Sequence, residues 1–113
     1  MKDKYIIKKA EEFNNIINNG KKIKGNILSL YYYPSSDNKF YFGIAVGKKH
    51  GNAVERNKIK RKLKMIIHDN QNLFSNKYKY IIMIRKDCLN YPHEEWNNDM
   101  KFVLEKVDNY EKI

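Results

Sequence analysis

Ile6, Ala10, Phe13 and Ile17 fall at i, i+4, i+7 and i+11, the spacing of one helical stripe. Asn18-Asn19-Gly20 supplies a stop for that helix, with Gly20 free to take a left-handed conformation. From Asn26 to Tyr33 the chain is rich in Ile, Leu and Tyr and reads as a strand. Pro34-Ser35-Ser36-Asp37-Asn38 is dense in turn formers and leads into a second strand, which predicts a hairpin. That strand, Phe40 to Val46, has a period of two. Phe40, Phe42, Ile44 and Val46 point one way, and Tyr41, Gly43, Ala45 and Gly47 point the other. A row of small residues lets a helix or a ligand backbone approach closely. Helix packing is the simpler role for Gly43, whereas a groove competes equally at Ala45 and Gly47.

Residues 53–69 repeat at helical spacing, Tyr80 to Arg85 reads as a buried strand, and Trp96, Met100, Val103, Leu104 and Val107 form the stripe of a last helix beginning near Pro92. The order helix, strand, strand, helix, strand, helix predicts an α+β fold, an α/β sandwich with a small mixed sheet. The default connection between parallel strands would be right-handed. At 113 residues the chain is expected to form one domain, residues 1–113, since single cores close at roughly 100–150 residues. No apolar run approaches the ~20 residues needed to span a bilayer. A soluble, cytoplasmic protein with no membrane partner is expected.

Charge changes this picture more than composition does. The net charge is +10, but 20 Lys, 15 Asn and 14 Ile all have A/T-rich codons, so lysine number partly reflects genome bias. Residues 48–64 hold Lys48, Lys49, Arg56, Lys58, Lys60, Arg61, Lys62 and Lys64 against Glu55 alone, while residues 94–113 are net acidic. Such a block is the footprint of a polyanion site. Two of the three arginines, Arg56 and Arg61, lie within it.

On a helical wheel, Ile59, Leu63, Ile66 and Ile67 gather on one side and Asn57, Lys60, Arg61 and Lys64 on the other, with Arg56 and Lys62 flanking the apolar stripe. Like charges along one face repel unless an anion is bound. Arginine suits phosphate because its planar guanidinium donates two parallel hydrogen bonds. Asn57 suits a phosphate, a 2′-hydroxyl or, at a helix start, a capping role. No other chemistry stands out. Cys88 is the single cysteine, which excludes an intramolecular disulfide, and His50, His68 and His93 show no paired motif. Phosphate-loop, nucleophile-elbow and metal-cluster signatures are absent from the sequence.

The run Gly47-Lys48-Lys49-His50-Gly51-Asn52-Ala53-Val54-Glu55-Arg56-Asn57-Lys58-Ile59-Lys60-Arg61 resembles the signature of the bacterial ribonuclease P protein subunit. That family shows V-S-K-K at a strand end, then G-N-A-V, then R-N-R followed by [IV]-K-R. Glu12-Phe13, Gly20, the hairpin, Gly43, the strand Tyr80–Arg85 and the last amphipathic helix also have counterparts, so the resemblance covers about residues 5–107. It implies a sheet of about four strands with three helices, ordered αβββαβα with a left-handed βαβ crossover. It further implies a protein that assists a catalytic RNA in a 1:1 assembly. That RNA, with magnesium, removes the 5′ leader of precursor tRNA, so this chain carries no catalytic residue, metal or cofactor of its own.

By the same resemblance the catalytic RNA is bound by Arg56, Asn57, Lys58, Lys60, Arg61 and Lys64. The leader lies in a cleft between the first helix and the sheet, at Phe13, Ile17, Tyr31 and Lys48. Phe13 and Tyr31 suit stacking on unpaired bases, and equally suit core packing. The chain departs from the family pattern at Lys58 for the second arginine of R-N-R, Ile17 for an aromatic, Gly47 for a serine, Asn26 for an arginine and Lys62 for an apolar residue. Three rivals are weighed against this reading. They are a ribosomal-type structural RNA-binding protein, a DNA binder using residues 53–69 as recognition helix, and a protein-only nuclease.

Overall fold

A computed structural model describes residues 6–7, 9–85 and 91–111. Cys88 lies outside the described residues. The elements are α1 (Ala10–Asn19), β1 (Lys21–Lys24), β2 (Leu28–Pro34), β3 (Tyr41–Ala45), α2 (Ala53–Asp69), β4 (Tyr78–Ile84) and α3 (His93–Glu111). Short 3₁₀ turns at Lys48–His50 and Gln71–Leu73 flank α2. The four strands form one mixed sheet in the order β1-β2-β4-β3, so the fold is α+β as expected.

The predicted hairpin between residues 26–33 and 40–46 is not formed. β4 lies between β2 and β3, antiparallel to β2 and parallel to β3. The hairpin that does form joins β2 to β1, a strand the sequence pattern did not reveal. β1 is Lys-Lys-Ile-Lys, with Ile23 alone buried, too short and too polar to show alternation. β3 and β4 are linked through α2 as a parallel βαβ unit.

The turn between β1 and β2 is made by a residue from α3. Asp99, buried on α3, accepts hydrogen bonds from the backbone N–H groups of Asn26, Ile27 and Leu28 at 2.8, 3.0 and 2.8 Å. Gly25 is required there, because a Cβ would stand 2.6 Å from Asp99 Oδ2. Arg85 closes the same corner by donating to the Gly25 carbonyl.

The first helix also differs from its stripe. Ile6 and Ile7 precede α1, with Ile6 bridged to Phe42 and the Ile7 amide donating to the Phe42 carbonyl at 2.8 Å. They run along the outer edge of β3 rather than in a helix. Gly20 has φ −79°, so no left-handed residue ends α1. Glycine is needed instead for space, since a Cβ would lie 2.7 Å from the Tyr32 carbonyl oxygen.

Strand alternation divides the sheet into two unequal faces. Leu28, Leu30, Tyr32, Phe42, Tyr80, Ile82 and Ile84 turn toward α2 and α3, where they meet Ile59, Leu63, Ile66, Trp96, Met100 and Val103 in the main core. Phe40, Ile44 and Val46 join that core, as the period of two predicts. Tyr31, Tyr33, Tyr41, Ile81 and Met83 turn the other way, where among the described residues they meet Ile7 and, from α1, Phe13, Ile16 and Ile17.

Candidate nucleic-acid interface

α2 spans residues 53–69 as its periodicity predicts, with Ile59, Leu63, Ile66 and Ile67 buried. Its start is a capping box. The Asn52 side chain accepts from the Glu55 amide at 3.0 Å, and the Glu55 carboxylate accepts from the Asn52 amide at 3.5 Å. Gly51, at φ 117°, occupies the left-handed region just before it, where only glycine is comfortable. This turn has an electrostatic result. The one acid within residues 48–64 is folded back onto its own helix start, leaving the outer face of α2 to its cations. Asn52 being the cap, the capping role is removed for Asn57, which stands exposed in the second turn.

Lys58, Lys60, Arg61 and Lys64 are exposed beside Asn57. Arg56 is half-buried at the border of the core, and its Nε has no hydrogen-bond partner among the described residues. Lys62 belongs elsewhere. Its Nζ stands 4.4 Å from the ring centroid of buried Trp96, so it lies over α3. A cation–π contact of that kind explains how a lysine is tolerated where an apolar residue would fit.

The second candidate area is the α1 face of the sheet. The structure brings Phe13, Ile17 and Tyr31 together in one cluster, all half-buried. Phe13 lies over Gly43: a Cβ on Gly43 would stand 2.9 Å from Phe13 Cε2 and 2.8 Å from Ile81 Cδ1. Gly43 therefore serves side-chain packing, whereas a Cβ on Gly47 would meet nothing within 4 Å. Glu12 and Lys79 form an ion pair that fixes the start of α1 to β4. Lys48 is exposed just past β3, in the 3₁₀ turn that leads to α2. It stands outside the cluster of the other three, past the end of β3 that leads to α2.

The profile of the family described as Ribonuclease P matches residues 1–108 of the chain. This chain belongs to the ribonuclease P protein family. It is 38% identical over 108 residues to the ribonuclease P protein component of Mycoplasma mycoides, covering 95% of this chain and 99% of the relative. With the corresponding protein of Acholeplasma laidlawii it shares 31% identity over 112 residues, 99% of this chain and 97% of that one. The Staphylococcus aureus RNase P protein superposes with a TM-score of 0.81 at 28% identity, over 91% of this chain and 94% of that chain. The RNase P protein from Thermotoga maritima shares the fold, with a TM-score of 0.80 at 19% identity over 88% and 94%.

Membership makes the chain the protein component of a ribonuclease P, whose partner is the ribonuclease P RNA. A ribosomal-type role is not favoured. Among the described residues no helix is long and apolar enough to cross a membrane.

What the sequence missed around these sites is structural. Asp99 gave no signal because it sits within an amphipathic helix among other acids. Its function depends on a turn that is distant in sequence. Lys22 and Lys79 looked like two of many lysines, yet they stand 5.4 Å from the ring centroids of Tyr31 and Tyr41.

Proposed function

We propose that this chain binds the ribonuclease P RNA through the outer face of α2 and holds the 5′ leader of precursor tRNA between α1 and the sheet. In this reading the RNA subunit, with its magnesium, performs the hydrolysis in the cytoplasm, in a 1:1 assembly. The protein anchors and widens the range of substrates. Arg56, Asn57, Lys58, Lys60, Arg61 and Lys64 contact the catalytic RNA; Phe13, Ile17, Tyr31 and Lys48 contact the leader.

The observation that carries this reading is the division of labour on α2. One side is locked into the core by four buried aliphatic residues. The other offers cations with their one acidic neighbour turned away, so an RNA backbone meets a rigid, pre-placed set of donors. The unpaired Arg56 Nε supports the same reading, because a buried donor without an acceptor is costly and a phosphate oxygen would relieve it. Half-buried Phe13 and Tyr31 beside small residues suit unpaired bases, which stack on aromatic rings without regard to sequence.

The test is reconstitution. Purified chain, candidate ribonuclease P RNAs and a precursor tRNA are combined at low magnesium, and release of the leader is followed. Cleavage that needs both the RNA and the chain is expected. Cleavage by the chain freed of all RNA would instead establish a protein nuclease and overturn the proposal.

A further inference from the structure

The cleft under α1 has two ends, and the strand register fixes what stands at each. Lys22, Tyr31, Ile81 and Gly43 lie in one row across all four strands, and Lys24, Ser29, Met83 and Ala45 form the next. α1 sits over the first of these rows and the level above it. Glu12 holds Lys79, Phe13 lies over Gly43, and Gly20 backs onto the Tyr32 carbonyl. The strip left open therefore runs across the strands, beside α1, from half-buried Ala45 and Met83 on β3 and β4, over half-buried Tyr31 on β2, where Ser29 is buried, to β1 at the opposite edge. With strands about 4.8 Å apart, this strip is about 14 Å long, longer than one nucleotide covers.

β1 is where the strip leaves the molecule. Ile23 and Lys21 turn toward α3, where Lys21 is paired with Glu111 at 2.9 Å. Lys22, by alternation, turns to the cleft side opposite Tyr31; Lys24 follows the same alternation opposite Ser29, at the corner where it also lines a pocket with Asp99 and Phe102. Lys22 Nζ stands 5.4 Å from the Tyr31 ring centroid. Among the described residues neither Lys22 nor Lys24 has a carboxylate partner. Lysines on an edge strand also discourage pairing with other chains, but that role does not depend on which face they occupy.

We propose that Lys22 and Lys24 are the far phosphate rim of the cleft, holding single-stranded leader RNA after it has passed Lys48, Phe13, Ile17 and Tyr31. The inference rests on the leader-binding reading above and adds the direction of the RNA. Lys48 opens the turn into α2, the helix given to the catalytic RNA, so the part of the leader nearest the cleavage site enters there. The RNA then crosses β3, β4 and β2 and leaves over β1, and only leaders long enough to cross the sheet reach the two lysines.

The experiment uses the full chain assembled with its ribonuclease P RNA and precursor tRNAs whose leaders increase in length. Binding is measured for the Lys22→Gln/Lys24→Gln double variant, for Tyr31→Ala, and for Lys21→Gln on the opposite face of the same strand. The double variant is expected to lose roughly tenfold in affinity for long leaders and nothing for short ones. Its salt slope for long leaders should flatten by about 1.4, two single-strand phosphate contacts. Lys21→Gln should match the unaltered protein. If the double variant matches it too while Tyr31→Ala still weakens leader binding, the rim is wrong and the cleft reading stands. Equal losses for long, short and absent leaders would also overturn the rim, moving the lysines to another part of the RNA. If neither Tyr31→Ala nor the double variant has an effect, both the rim and the cleft reading fall.

Discussion

The two faces of the sheet are built from the same strands and finish differently. Toward α2 and α3, alternate positions carry Leu28, Leu30, Phe42, Tyr80, Ile82 and Ile84, sealed under two long helices around a fully buried Trp96. Toward α1, the intervening positions carry buried Ser29, Gly43 and Ile81 but also half-buried Tyr31, Tyr41, Ala45, Lys79 and Met83, under Ile7 and one helix of 10 residues. A single period of two thus sorts stability to one side and adaptable polar or aromatic surface to the other. The α1 face can expose half-buried aromatics because it does not have to hold the fold together.

Four measurements would break or sharpen that contrast. Trp96→Ala on the sealed face should cost about 3–5 kcal/mol, whereas Ile17→Ala on the open one should cost less than half as much. Urea unfolding of both variants measures this, and similar losses would end the distinction. Asp99→Ala should cost about 3 kcal/mol, since three backbone N–H groups lose a charged acceptor. Amide hydrogen exchange should show Ile27 and Leu28 losing protection first.

Arg61→Ala should leave the unfolding midpoint unchanged. It should weaken binding to the ribonuclease P RNA and reduce the magnitude of the logarithmic salt slope by about one unit. An unchanged slope would show that Arg61 does not touch a phosphate. The smallest effect is expected with pH. The Tyr41 hydroxyl, at 2.7 Å, and then Ser35 hold the Asp37 carboxyl below its ordinary value. The turn between β2 and β3 therefore keeps its full stabilisation above the unfolded aspartate value and loses it as pH falls through the lower folded value. Chemical shifts of the Lys39 amide, which donates to Asp37, should report that midpoint.

Long-period features were legible in the sequence. α2 and α3 each carry enough apolar residues at helical spacing to define themselves, and the G-N-A-V-E turn writes its capping box in local residues. The family signature lies in the same segment, so α2 and its cation face could be placed early. The sheet order could not. Nothing local to residues 26–46 says that a strand formed more than thirty residues later will enter between them. The Pro34–Asn38 turn is a real turn that joins non-neighbouring strands. β1 was hidden because three of its four residues are lysines, which leave no alternation of polar and apolar positions to read. The role of Gly20 is hidden in part for a similar reason: the space it leaves is needed by the local Ile16 carbonyl and also by that of Tyr32, on β2.

The position of β4 has a consequence for how the chain comes together. β1 and β2 form a local hairpin as soon as both exist, but among the described residues β3 has only the short Ile6–Ile7 bridge beside it until residues 78–84 are available. The sheet closes by insertion, across a loop that contains all of α2. Non-local pairing of this kind slows folding, because loop-closure entropy is spent before the contacts that repay it. During synthesis, the chain carrying the cationic helix is complete before β4 and α3, which complete the core on its apolar side. For that interval α2 is an amphipathic segment with its aliphatic residues in water, open to a chaperone or to an RNA that can organise it first.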